Sequence, residues 1–194
     1  QPMKFGIARW NKAGNLVSGD ACLVWEDGPR ALVALADGLG SGEKAGHSAQ
    51  LAVQGVAENG EAALDHILAY CHYTILAAGG VGAMMSLLRL DEATHTLEFS
   101  GVGNIRFLAH SRQVIQPITR YGYLGLRLPT LSVFRSRYDP GDLFILHTDG
   151  ISSRFHLANH RADLAGEVQA FAERILETYG KSHDDATVIV IRSE

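Results

Sequence analysis

Asp20, Asp37, Asp149, Asp184 and Asp185 stand where apolar runs begin or end: SGD precedes ACLVW, LVALA runs into Asp37-Gly38, LFILHT runs into Asp149-Gly150, and Asp184-Asp185 opens onto ATVIVI. A carboxylate at a strand end has ordinary uses, in an Asp-Gly turn, as a helix N-cap or as a solvated charge. Several sharing one rim are different. Two like charges about 4 Å apart repel by roughly 4 kcal/mol at an effective dielectric of about 20, so protonation or a cation must relieve them. With oxygen donors and no supporting Cys or His, that cation is a hard one, Mg²⁺ or Mn²⁺, whose octahedron water completes. Gly38 fits the same chemistry, because a residue without a side chain can turn its carbonyl inward as another ligand.

The acids meet only if the chain brings them together. Residues 21–25 (ACLVW) and 31–36 (ALVALA) flank EDGPR, whose Asp-Gly-Pro favours a tight reversal and hence a β-hairpin. Pairing Trp25 with Ala31 across that turn sets Asp20 opposite Ala36 and next to Asp37. A second hairpin joins 131–138 to 143–148 through Asp139-Pro140-Gly141-Asp142, where proline suits the first turn centre and glycine the positive φ of the second. The VIVI run at 188–191 reads as a buried strand. Paired antiparallel with the strand ending at Asp149, it enters where the other leaves, which brings Asp184 beside Asp149.

Helical stripes fill the gaps: Ala45, Ala49, Ala52, Val53 and Val56; then Leu64, Ile67, Leu68, Cys71 and Ile75; and finally Leu164, Val168, Phe171, Ile175 and Leu176, with Gly180 placed to end the last helix. Strand-like runs occupy 81–90 and 96–109, and 110–130 reads as irregular. Helices clustered between antiparallel strand groups give an α+β class with packed layers. A rival reading starts from Gly40-Ser41-Gly42-Glu43-Lys44-Ala45, which satisfies the G-x-G-x-x-A dinucleotide fingerprint between a strand and a helix. That reading would set Asp37 near a pyrophosphate and needs a parallel crossover where the pattern predicts helix, helix and antiparallel strands.

The 194 residues are read as one domain, 1–194, able to bury about two-thirds of the unfolded surface. Cys22 and Cys71 lie far apart without zinc-type spacing, which points to a reducing compartment and core packing. No apolar stretch reaches the roughly 18 residues of a membrane span and no signal-peptide pattern opens the chain, so a soluble, cytoplasmic protein is expected. Gln1 suggests a trimmed start. A formal net charge of −4 without a basic block argues against nucleic acid as the main partner.

Three motifs in order, Asp37-Gly38, Thr148-Asp149-Gly150 and Asp184-Asp185-Ala186-Thr187, resemble the metal-dependent protein phosphatases of type 2C. Ser18-Gly19-Asp20, Gly101-Val102-Gly103-Asn104 and Asp139-Pro140-Gly141-Asp142 extend the resemblance over nearly the whole chain. The DGLGSGEKA wording and small size look most like the bacterial branch of the stage II E sporulation phosphatase and the stressosome feedback phosphatase. The resemblance implies a four-layer αββα sandwich, two antiparallel sheets flanked by helix pairs. It also implies two Mn²⁺ or Mg²⁺ ions, with Asp37 bridging them, Gly38 offering its carbonyl and Asp149 and Asp184 binding one of them. Asp20 would hold metal-bound water, and Asp185, where many relatives carry asparagine, would stand behind the ligands. The implied activity is hydrolysis of phosphoserine or phosphothreonine esters. The implied partners are phosphorylated stressosome scaffold proteins with sulphate-transporter/anti-sigma-antagonist domains.

Two positions depart from that pattern. Leu39 stands where many relatives have a histidine that protonates the leaving group, with His47 or water as substitute, and Asn15 stands near the spacing of a phosphate-gripping arginine. Arg112, Arg120 and Arg127 lie in the irregular segment, within possible reach of a substrate. His147 should point to the same side of its strand as Asp149, which makes it a candidate supporting group. His156 and His160 have i, i+4 spacing but no third ligand, and Ser152-Ser153 lacks a base. Retention of every proposed ligand predicts an active phosphatase, while Leu39 and the missing arginine motivate the alternative of a catalytically silent phosphoprotein-binding module.

Overall fold

The EDGPR reversal is a two-residue turn: Asp27 pairs with Arg30, leaving only Gly28 and Pro29 between the strands. Gly28 takes φ +58 and proline holds its own φ negative, the combination of a II′-like hairpin. This tight turn moves the register one step from the expected pairing, so that Trp25 faces Leu32 and Asp20 faces Asp37 directly. The computed structural model describes residues 3–194; Gln1 and the trimmed start it suggested lie outside them.

The chain runs β1 (Lys4–Trp10), β2 (Asp20–Asp27), β3 (Arg30–Gly38), α1 (Gly42–Glu58), α2 (Leu64–Ala77), β4 (Ala83–Asp91), β5 (Thr96–Val102), β6 (Arg106–His110), β7 (Phe134–Arg137), β8 (Leu143–His147), α3 (Arg161–Leu164), α4 (Val168–Tyr179) and β9 (Ala186–Arg192). One sheet has the order β2-β3-β4-β5-β7 and the other β1-β9-β8-β6. Every pairing between these strands is antiparallel. The dinucleotide reading therefore fails, since β3, α1 and α2 lead into β4, which returns antiparallel beside β3.

The continuous apolar runs follow from burial on both faces. Val33 and Leu35 of β3 point to the other sheet, meeting Phe144, Leu146, Ile189 and Ile191. The alternate residues Leu32, Ala34 and Ala36 pack under α1 and α2 with Ala49, Ala52 and Leu68. On the far side, Ile145, Val188 and Val190 pack under Phe171, Ala172 and Ile175 of α4. Each large side chain so buried contributes about 1.5–3 kcal/mol. The result is the expected α+β sandwich of helices, sheet, sheet and helices, with α3 a single turn beside α4.

Some elements differ from the sequence reading. β1 was not anticipated at all. The run 96–109 divides at Gly103-Asn104, so that β5 joins one sheet and β6 the other. The irregular segment has isolated bridges but no long strand. It is nonetheless held: Leu124 and Ala83 exchange backbone hydrogen bonds at 2.7 and 3.0 Å, and the Gly125 amide donates to His72 Nδ1 at 2.9 Å. Among the described residues no helix is long and apolar enough to cross a membrane, and both cysteines are free.

Candidate active site

Asp20 and Asp37 are cross-strand partners at the end of the first hairpin, on the face of β2 and β3 that points to the opposite sheet. Chains entering and leaving this edge must pass close to one another. A Cβ on Gly38 would lie 1.8 Å from the Ala45 carbonyl oxygen, so only glycine lets the Asp37 turn approach α1. The same device holds the second acid. A Cβ on Gly150 would lie 2.0 Å from the Asp185 carbonyl oxygen, and this approach, with the Thr148 amide donating to Thr187 at 3.1 Å, fixes Asp149 beside Asp184.

The two sheets are tied together at this rim by hydrogen bonds that the sequence reading did not assign. Asp20, 2 % exposed, accepts at Oδ2 from the Thr187 hydroxyl at 2.8 Å and the Thr148 hydroxyl at 3.3 Å. Arg9 of β1 donates to the Asp20 carbonyl at 2.8 Å. Asp185 is buried and accepts from the amides of Lys12 and Gly19, each at 2.9 Å, so it pins the loop between β1 and β2. Thr148 and Thr187 sit inside the quoted motifs, and their period-two alternation with the helix-facing residues of β8 and β9 was the available signal. Arg9 carried no signal because β1 itself went unread.

The charges report their own crowding. Burial pushes Asp37 up to about 8, reinforced by Asp20, Asp149, Asp184 and Asp185 in that order. Asp20 rises to about 6, mainly from burial, with Asp185 adding and Thr187, Thr148 and Arg9 opposing. Asp184 is raised by burial and then by Asp149. Acids from four separate stretches thus act on one another. Among the described residues, no group of three or more His, Cys, Asp or Glu side chains closes into a preformed metal cage. An open oxygen rim suits Mg²⁺ or Mn²⁺, which are held by few carboxylates and keep several waters. A cation there would also remove the repulsion that raises Asp37.

The remaining candidates are placed as follows. His147 faces α4, packs its ring on Phe155 and contacts its own Thr148 carbonyl through Nδ1 at 2.8 Å, while lining a cavity with Asp149. Burial lowers its pKa. His47 is exposed on α1 and shares an open groove with Arg9, Asp20 and Glu43. Leu39 is exposed at the turn after Asp37. Arg120 is held by backbone pairing with Gly101 and Gly103, and Arg112 lines a different cavity, beside β6. His156 and His160 do not share a helix; His160 Nε2 instead lies 2.7 Å from the Tyr179 hydroxyl. The Ser152 hydroxyl accepts from the Arg154 amide in a turn.

The family model described as Stage II sporulation protein E (SpoIIE) matches residues 27–194, a span that contains Asp37, Asp149 and Asp184. The chain belongs to the SpoIIE family of type 2C phosphatase domains. Within that family it is similar to the phosphoserine phosphatase RsbX of Bacillus subtilis (strain 168), at 30% identity over 149 residues, 75% of this chain and 73% of that protein. A chain in a solved structure of the bacterial stressosome, "a modular system that has been adapted to control secondary messenger signaling", superposes with a TM-score of 0.93 at 30% identity, covering 99% of this chain and 100% of that one. RsbX in complex with magnesium superposes with a TM-score of 0.87 at 26% identity, covering 99% and 96%. The αββα layers of this SpoIIE-family chain are thus those of its phosphatase relatives.

Proposed function

We propose that the chain, acting as a single catalytic domain in the cytoplasm, hydrolyses phosphoserine and phosphothreonine esters on regulatory proteins, using divalent cations held at the acid rim. The observation that carries this reading is the convergence of Asp37, Asp20, Asp149 and Asp184 on the seam between the two sheets, strong enough to push Asp37 up to about 8. Similarity to the phosphoserine phosphatase RsbX supports the substrate class. Similarity to a stressosome structure supports phosphorylated stressosome scaffold proteins as partners.

Asp37, the Gly38 carbonyl, Asp149 and Asp184 are the proposed ligands of Mn²⁺ or Mg²⁺, two ions in all. When bound, such ions supply an activated water and neutralise the phosphoryl oxygens in an in-line displacement. The chain's own residues set the stage. Asp20, whose Oδ2 is fixed by Thr187 and Thr148, is assigned the orienting of water at the rim. Asp185 holds the loop carrying Gly19 and Asp20 in place. His147, lining the cavity beside Asp149, is assigned a supporting place there. Leu39 offers no proton, so the leaving alkoxide takes its proton from water.

Hydrolysis of an aryl phosphate with Mn²⁺, followed by chelator, tests this reading. Turnover that stops on metal removal is expected, and turnover that survives complete removal refutes the metal assignment. The exposed Leu39 in place of an acid favours the silent binding module as the second reading. Absence of turnover with every divalent metal, in a protein that still binds a phosphopeptide, would select it.

A further inference from the structure

A groove made of two adjoining cavities leads from the candidate active site along β6. Its near end is a cavity of about 510 Å³ reached by Asp149, His147, Lys181 and Arg106. Its far end, of about 730 Å³, lies between β6 and the segment 111–119 and includes Arg112. Arg106, Leu108 and Leu157 line both, so the two adjoin along β6.

The groove follows an open strand edge. β6 is the last strand of its sheet, and among the described residues no strand pairs with its outer side. Phe107 packs with the core between the sheets and Leu108 with the core under α4, yet both line the far cavity. Neighbours on a strand point to opposite faces, so they share a cavity only along the strand's edge. The charge is one-sided as well. Arg106, Arg112 and Lys181 border the groove, Asp149 is its one acid, and the chain as a whole carries a formal net charge of −4.

We propose that this groove receives an extended, acidic segment of the phosphoprotein substrate, laid along β6, with the phosphorylated residue at Asp149. The proposal rests on the phosphatase reading above. Main-chain hydrogen bonds to the free edge would give affinity, as in strand addition, and the arginines would select acidic side chains. β6 has 5 residues. At about 3.3 Å per residue it guides a stretch of about 16 Å, so the selected acids lie within about six residues of the phosphorylated one. A small ester needs only the Asp149 end of the groove and does not extend along β6 to Arg112.

The test compares phosphoserine peptides that carry Glu, Ala or Lys on one flank or the other, with an aryl phosphate as reference. With Mn²⁺, kcat/KM for the glutamate peptide on one flank should exceed that for the lysine peptide about tenfold, and the ratio should shrink in high salt. Arg106→Glu with Arg112→Glu should bring the ratio to one or below; being a ratio, it cancels any change at the acids. N-methylation of alternate amides in the favoured flank should weaken binding. A ratio near one on both flanks, or one unchanged in the double variant, overturns the groove while aryl phosphate turnover leaves the phosphatase reading intact. Should the aryl phosphate itself resist hydrolysis, the phosphatase reading fails, and anisotropy of the labelled glutamate peptide decides the groove: binding that the double variant loses supports it, and equal binding refutes it.

Discussion

Replacing Asp37 by asparagine should stabilise the metal-free protein while removing its activity. In the fold Asp37 is pushed from an ordinary 3.8 to about 8, by burial first and then by Asp20, Asp149, Asp184 and Asp185. A carboxyl whose folded pKa lies above its unfolded one leaves stability intact below about pH 4 and erodes it as pH rises toward 8, because the unfolded chain gives up the proton more readily. At about 1.36 kcal/mol per pH unit, the ceiling is on the order of 5 kcal/mol. Sharing of protons among the neighbouring acids and partial hydration reduce the expected gain for Asp37→Asn to about 2 kcal/mol. For a domain of this size that is a rise of about 4–8 °C in Tm. Thermal scans with chelator at pH 5 and pH 8 should find the gain at pH 8 and little of it at pH 5. Added Mn²⁺ should then reverse the order, lifting the wild type by about 2.7 kcal/mol at a hundred times Kd and the variant far less. A folded Asp37→Asn protein no more stable than wild type at pH 8 without metal would refute the convergence of charge on this residue.

Gly38→Ala should lose about 3 kcal/mol in urea unfolding, since its new methyl meets the Ala45 backbone rather than a movable side chain; an unchanged midpoint contradicts that packing. Thr187→Val removes the 2.8 Å hydrogen bond that opposes the rise of Asp20, so carboxyl-detected NMR of the metal-free protein should find Asp20 titrating above about 6. An unmoved or lower value would argue against it. Asp185→Ala deprives the Lys12 and Gly19 amides of their acceptors, and their hydrogen exchange should quicken about tenfold or more, whereas unchanged exchange would deny the pinning role.

The apolar stripes and the first turn carried most of the fold, because burial on both sheet faces writes itself as unbroken runs such as ALVALA. The second expected hairpin is not one: β7 pairs with β5 and β8 with β6 and β9, so the Asp139-Pro140-Gly141-Asp142 turn carries the chain from one sheet to the other. β1 escaped for the opposite reason. As an edge strand it is half exposed, and its KFGIARW pattern mixes charge and glycine with apolar residues. The division of 96–109 escaped because a change of sheet needs only the sharp turn at Gly103, which leaves the apolar pattern running through it. The hairpin register differed by one step because Gly28-Pro29 turns in two residues, and that step moves Asp20 from beside Asp37 to directly across from it.

The location of the acids gives the arrangement its physical sense. Below the rim, apolar side chains from both sheets hold the sandwich together; at the rim, that attraction ends and like charges from both sheets face each other. Asp20, from one sheet, is anchored to threonines of the other, so the gap between the sheets cannot widen freely to relieve the repulsion. Held at close quarters, the carboxylates are left with protonation or a cation as their remaining outlets. On the proposed metal reading, affinity for divalent ions would follow from how the two sheets pack, and a residue far from the rim that loosened the sheet interface would weaken metal binding without touching a proposed ligand.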